Sequence, residues 1–308
     1  MVFRMNSPLV SVCIPTFNHA KVVGDALRSA MAQRYQHLEI LVVDNHSDDD
    51  TEHVIARIAA GDSRIRYVRN RENIGMARNF SACITLACGQ YIKFLCADDV
   101  LDPDCVSAMV EALESSRDIA LVGCARRLTD HRLATRRIAG ARKRFARVEG
   151  ASMVRECFAM GNRIGEPTAV MFRRGDALRG FDESYSQHVD LEKWFYLLLK
   201  GNFVFLADPL CSIRQHDMQA TQVNLRHGRI VEDKRRLFRD FSPLVRGSMG
   251  LFEKCLWDGR MALSLVRGGL AGCFIEPRTI AEIFFRRPFP TVTYPLVAML
   301  VRLGWTGS

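Results

Sequence analysis

Three apolar runs in the first third of this 308-residue chain each hand over to residues able to bind or react. LVSVCI (9–14) is followed by Thr16, Phe17 and Asn18, LEILVV (38–43) by Asp44 and Asn45, and YIKFL (91–95) by Asp98 and Asp99. A single acid after a strand is as readily a turn or helix-cap residue, because an Asp side chain bonds nearby backbone N–H groups. Acids after two strands of one sheet point further, to a divalent cation or a sugar nucleotide held at that edge. Carboxylate oxygens are hard donors that suit such a cation.

The elements that must position these residues follow from periodicity. The runs are almost continuously apolar, as strands buried on both faces of a parallel sheet should be. Between them Val23, Ala26, Leu27, Ala30 and Met31 recur at helical spacing. Ser47 offers an N-cap for a helix carrying Val54, Ile55 and Ile58, and another helix spans about 76–88. IRYV (65–68) and IALVGC (119–124) add strands, with a helix after Asp102-Pro103. This alternation predicts a doubly wound, mostly parallel α/β sheet with helices on both faces, which binds ligands beyond the carboxyl ends of its strands. All three polar sets fall at that edge.

Further on, GEPTAVMFRR (165–174) reads as a turn and a strand, and NFVFLADP (202–209) as a strand. Between them FDESYSQHVDLEKWFYLLLKG (181–201) is a polar loop entering an apolar helix, with Trp194 and Phe195 in the core. The section 226–308 reads as helices with arginines among Leu, Phe and Trp. TVTYPLVAMLVRLGW (291–305) is apolar but carries Arg302, and reads as a helix packed on its own protein rather than lying in a membrane interface.

Composition narrows the class. At 48% hydrophobic and 25% charged the chain is an ordinary globular one, long enough to bury a core without staples, in one large domain or two modest ones. Ten cysteines form no CxxC pair or Cys/His cluster, which argues for reduced thiols in a cytosol. The start MVFRMNSPLV is too short and polar for a signal peptide, and no apolar stretch is long enough to span a membrane. Net charge is +9, of which the segment from Arg226 onward carries +7, while Arg126–Arg147 holds nine basic residues and the single acid Asp130. Such stretches are solvated surface or attract an anion: a phosphorylated acceptor, a lipid headgroup or nucleic acid.

VSVCIPTFN, EILVVDNHSDDDT, NRENIGMARNF and YIKFLCADDVL, in that order and spacing, resemble the inverting family-2 glycosyltransferases with the GT-A fold, over about residues 8–220. The resemblance implies a GT-A domain over 1–225, with a nucleotide half at about 8–100 and an acceptor half at about 101–225, followed by a basic helical extension over 226–308. It implies a nucleotide-sugar donor, UDP-linked in most relatives, with Mg2+ or Mn2+ on its diphosphate. The family's Asp-x-Asp motif corresponds to Cys96-Ala97-Asp98, so a cysteine replaces the first acid, while Asp98 keeps the metal-contacting position with Asp99 beside it. Thr16, Asn18, Asp44, Arg78 and Asn79 then line the nucleotide, and Asn45 stands where relatives often carry a second Asp. Asp190, before the aromatic helix in Val-Asp-Leu-Glu-Lys-Trp, takes the position of the base that deprotonates the acceptor hydroxyl, with Glu192 as fallback. Glu166, Pro167 and Thr168 shape the sugar and acceptor pocket. Arg214-Gln215-His216 resembles the closing segment, in which His216 completes the metal's coordination and Arg214 touches phosphate or sugar.

The setting implied is cytoplasmic assembly of surface polysaccharide or glycolipid, with a saccharide or lipid-linked saccharide acceptor and peripheral contact of the basic extension with an anionic inner leaflet. Each assigned residue also has an ordinary reading: Asp98 and Asp190 as helix caps, Arg78 as an exposed helix arginine, His216 as a surface histidine. A non-catalytic subunit of the same fold is the alternative, favoured only by Cys96. A nucleotidyltransferase would want a glycine-rich loop where PTFNHAKVVG stands, an oxidoreductase a GxGxxG there, and acidic strand ends would repel nucleic acid.

Overall fold

The computed structural model describes residues 7–140, 147–215 and 229–246. In chain order the first half runs β1 (Val10–Thr16), α1 (Val23–Met31), β2 (Leu38–Asp44), α2 (Thr51–Ala59), β3 (Ile65–Arg69), α3 (Met76–Leu86) and β4 (Tyr91–Phe94). The second half runs β5 (Val100–Leu101), α4 (Cys105–Glu114), β6 (Ile119–Thr129), β7 (Thr135–Ala139), α5 (Gly150–Met160), β8 (Val170–Arg173), α6 (Val189–Leu198), β9 (Asn202–Arg214) and α7 (Arg229–Arg246). One sheet orders the strands β3-β2-β1-β4-β8-β6-β9-β5, with β7 paired to β6.

The expected parallel sheet holds for β3, β2, β1 and β4. Beyond β4 the sheet is mixed: β8 runs antiparallel between β4 and β6, and β7 and β5 pair antiparallel, while β6 and β9 are parallel. The chain reverses at the short β6–β7 turn, and after α5 strand β8 runs antiparallel to β6 as β7 does, a direction that the apolar pattern of GEPTAVMFRR does not encode. Register fixes the site's geometry: Thr16 pairs with Asp44, so the ends of β1 and β2 lie side by side.

Period-2 alternation sends side chains to two separate cores. Val10, Val12 and Ile14 of β1 pack with α1, α2 and α4 on one face, whereas Cys13 joins α3, α5, α6 and α7 on the other. Trp194 and Phe195 are both fully buried, as expected. Helix α5 begins against the end of α6 so closely that a Cβ on Gly150 would lie 1.9 Å from the Leu198 carbonyl oxygen, which leaves room only for glycine. Helix α7 lays Leu237, Phe241 and Val245 into the second core. Among the described residues no helix is long and apolar enough to cross a membrane. The segments 216–228 and 291–305 lie outside the described residues.

Candidate active site

The turn after β4 is the centre of the site. Cys96, Asp98 and Asp99 bring their ligand atoms within 4.8 Å of one another. Asp99 is buried and structural: its Oδ2 accepts from the Thr168 hydroxyl at 2.6 Å and its Oδ1 from the Arg214 backbone N–H at 2.9 Å. The same Thr168 hydroxyl accepts from the Cys96 N–H at 2.9 Å. One carboxylate therefore joins the end of β4, the tight turn Pro167–Ala169 and the end of β9. Burial, then the adjacent Asp98, push the Asp99 carboxyl well above the usual carboxylate range. Acids this close repel, and a divalent cation relieves that repulsion. Asp98 is half-buried and offers a hard carboxylate oxygen, so the residues fit a divalent cation through Asp98, with the softer Cys96 thiol beside it.

Asp190 stands second in α6, half-buried, with Oδ1 accepting the neighbouring Leu191 N–H at 2.7 Å. Burial raises its carboxyl to about 7; nearby Glu166 adds to the rise and Arg126 opposes it. Glu166 and Arg126 form an ion pair beside it. The Cys96 thiol links the two groups of acids. It is pushed up by burial and then by Asp99, Asp98 and Asp190, so the acids after Leu95 and the one before Leu191 act on a single side chain. The turn after β4 and the start of α6 are therefore neighbours.

Lys93 is fully buried in β4, and its ammonium donates to the Thr168 and Val170 carbonyls. Arg126 and Lys93 escaped the sequence reading, although a charge inside the apolar YIKFL run is itself a signal. Trp194 Nε1 donates to the Gly165 carbonyl at 3.2 Å and so ties α6 to the loop carrying Glu166.

Several assigned residues do other work. Asp44 is fully enclosed, its carboxylate accepting from the Ser47 N–H and hydroxyl at 3.0 and 2.6 Å and from the Tyr67 hydroxyl at 2.7 Å. It builds the turn after β2 and has no surface left for a base. Asn79 is also buried, its amide donating to the Val43 carbonyl at 3.0 Å and accepting from Asn70 at 2.9 Å, which pins α3 to the sheet. Arg78 is exposed and pairs with Glu183 at 2.6 Å. Glu192 does not fit the fallback base: it is buried and held by two Arg179 hydrogen bonds at 2.6 and 2.7 Å. Arg214 is likewise committed, to the Asp98 carbonyl at 2.8 Å, the His131 carbonyl at 2.5 Å and Asp25 at 2.8 Å. His216 lies outside the described residues.

Thr16 and Asn18 do sit at the edge. The Thr16 hydroxyl is buried without a hydrogen-bond partner. Asn18 adopts a positive φ of 56° and is clamped between the Ser47 hydroxyl and the Asp48 N–H. A cavity of about 430 Å3 opens beside them, bordered by Asn18, His19, Lys21, Asp49, His131 and Arg214. Asn45 uses both ends of its amide, donating to Asn73 at 2.7 Å and accepting from the Ile74 N–H at 2.9 Å.

This mixed sheet, with its acidic turn after β4, has the GT-A fold of glycosyltransferases. Two solved structures share this fold. S. aureus TarS 1-349 in complex with UDP-GlcNAc aligns at a TM-score of 0.62 and 13% identity, over 85% of this chain and 73% of that one. The mannosyltransferase PcManGT from Pyrobaculum calidifontis, in complex with GDP-Man and Mn2+, aligns at 0.61 and 18% identity, over 96% and 81%. The Glycosyl transferase family 2 profile matches residues 11–174, more than half of the chain, and the chain belongs to that family. Among its relatives, an uncharacterized protein of Mycobacterium tuberculosis, MT1568, is 34% identical over 68% of this chain and 67% of its own length. An uncharacterized glycosyltransferase of Rickettsia typhi, RT0329, is 27% identical over 71% and 68%.

Proposed function

We propose that this glycosyltransferase moves a sugar from a UDP-linked nucleotide sugar to an acceptor hydroxyl, with inversion at the anomeric carbon and Asp190 as the base. The observation that supports this most is the placement of Asp98 and Asp190 about the Cys96 thiol, with the Asp190 carboxyl held near 7. A base must be ionised at working pH yet keen to take a proton, and a carboxyl near neutrality meets both needs. An ordinary carboxylate would be ionised but a poorer acceptor.

Asp98 would hold Mg2+ or Mn2+, kept in place by Asp99, Thr168 and Arg214 behind it. When bound, the cation supplies neutralisation of the diphosphate leaving group. Thr16 and Asn18 would meet the nucleotide, the unpartnered Thr16 hydroxyl being ready to bond a ligand. Glu166, Pro167 and Thr168 would line the sugar and acceptor side, where the Glu166–Arg126 pair orients the wall facing Asp190. The TarS and PcManGT complexes hold UDP-GlcNAc and GDP-Man, which supports a nucleotide sugar as the donor class.

The acceptor in this reading is a saccharide or lipid-linked saccharide of surface polysaccharide or glycolipid assembly, on the cytoplasmic side. The basic extension from residue 226 would lie against an anionic bilayer, and the catalytic unit would run past residue 225 to include α7. Cys96 in place of an acid favours a second reading, a nucleotide-sugar-binding subunit without turnover. Calorimetry with UDP, with and without Mn2+, together with nucleotide release from a donor panel, separates them. The enzyme binds UDP more tightly with Mn2+ and releases nucleotide; the subunit binds without needing metal and releases none.

A further inference from the structure

Helix α7 lies beyond the family match at 11–174, yet one of its carboxylates reaches the loop from which Asp190 projects. Asp233 is 3% exposed. Its Oδ2 accepts three successive backbone N–H groups: Ser186 at 2.9 Å, Gln187 at 2.6 Å and His188 at 2.9 Å. Consecutive N–H groups converging on one anion form a nest, a geometry that fixes backbone direction residue by residue. Val189, the first residue of α6, comes next, and Asp190 follows it.

The surrounding contacts belong to the same clasp. The Arg236 guanidinium donates to the Ser184 carbonyl and lies 5.5 Å over the Tyr185 ring, while the Tyr185 hydroxyl donates to Asp240 at 3.1 Å. Phe241 packs edge-on against Phe195 of α6, with centroids 5.4 Å apart. Apolar packing alone would seat α7, so a buried carboxylate is superfluous to that task and costly to desolvate. What it adds is a fixed starting point for α6.

We propose that Asp233 is a positioning residue: through the 184–188 loop it sets where α6 begins and hence where the Asp190 carboxylate stands in the cleft. The proposal rests on Asp190 being the base. It also gives a helix well beyond the matched segment a part in the reaction, by way of backbone it holds rather than substrate it touches.

A double-mutant cycle on the full chain tests this, with nucleotide release measured from UDP-glucose, UDP-galactose, UDP-GlcNAc and GDP-mannose in the presence of Mn2+. For the donor turned over fastest, Asp233→Ala should lower kcat about 10- to 100-fold and leave donor KM within about threefold, the split expected when only the transition state is affected. Asp233→Asn, which keeps an acceptor oxygen, should recover part of the loss and serves in its place if the alanine variant does not fold. In an Asp190→Asn background, adding Asp233→Ala should change the residual rate less than about twofold, because the residue acts through a group already removed. A full additive loss there, a matched change in kcat and KM, or no loss at all would overturn the proposal. Native-like turnover by Asp190→Asn alone, or no release by the native protein from any of the four donors, would instead sink the reading of Asp190 beneath it.

Discussion

The Thr168 hydroxyl donates to Asp99 at 2.6 Å while accepting the Cys96 N–H at 2.9 Å, so one small side chain spans the acidic turn from its first residue to its last. Thr168 is in turn held from below by the Lys93 ammonium. The turn's shape is thus set by groups that need never touch a ligand. Such preorganisation is what a site for a charged diphosphate requires, since reorganising dipoles during reaction would cost rate.

Thr168→Val keeps the shape and removes both hydrogen bonds. It should cost about 1–3 kcal/mol, because two buried polar groups lose their partner. Mn2+-dependent UDP affinity should fall with it, and Thr168→Ser should restore both. Urea unfolding and calorimetric titration measure the two effects.

Glu192→Gln tests the correction at α6. With Arg179 partly exposed, the pair it breaks is worth little, so stability should fall by about 1 kcal/mol or less. Turnover should stay within about threefold of the native rate, where loss of a true base costs orders of magnitude. A collapse in kcat with normal donor KM would return Glu192 to the reaction.

The pH dependence of rate and stability should run in opposite directions. Asp190 must be ionised to accept a proton, so kcat should climb as pH passes through about 7 and level off above it. Its folded-state pKa is raised above the unfolded value of about 3.9, so its contribution to stability is fully present below that value and is lost as pH rises through 7. Asp190→Asn should remove both trends. His188 has the reverse sign: burial lowers its imidazole to about 4, so its contribution is present above the unfolded value and is lost as pH falls. A rate profile flat from pH 5 to 8 would contradict the base assignment.

Asn45→Asp restores the acid that relatives often carry, but removes the donor to Asn73 and buries a charge. Stability should drop by about 1–3 kcal/mol, with the 70–74 loop loosened. Hydrogen exchange at Ile74 and Gly75, both bonded to this network, reports the loosening.

Much of this site is legible in the chain itself. Continuous apolar runs locate β1, β2 and β4, and the edge rule then places Thr16, Asn18 and Asp98 together. Asp190 is visible because a polar loop meets an aromatic helix there. What escapes depends on partners far off in sequence. The saturation of Asp44 requires Tyr67 from β3, and the structural role of Asp99 requires Thr168 and Arg214 from two later segments. The two-residue β5 exists only because β9 pairs with it, and Asp233 acts on a loop more than 40 residues earlier. Glu192 is different. Two residues beyond Asp190 on a helix is a rotation of roughly 200°, which already aims it at the opposite face.

The convergence of Asp98 and Asp190 on one cleft is the claim most directly open to measurement, by comparing Asp98→Asn and Asp190→Asn for Mn2+-dependent UDP binding and for nucleotide release from the preferred donor. Asp98→Asn should lose the metal-dependent part of UDP affinity together with turnover. Asp190→Asn should bind UDP and Mn2+ as the native protein does while release falls about 1000-fold, as expected for removal of a base. Native-rate release by Asp190→Asn, or unchanged Mn2+-dependent binding by Asp98→Asn, would contradict it.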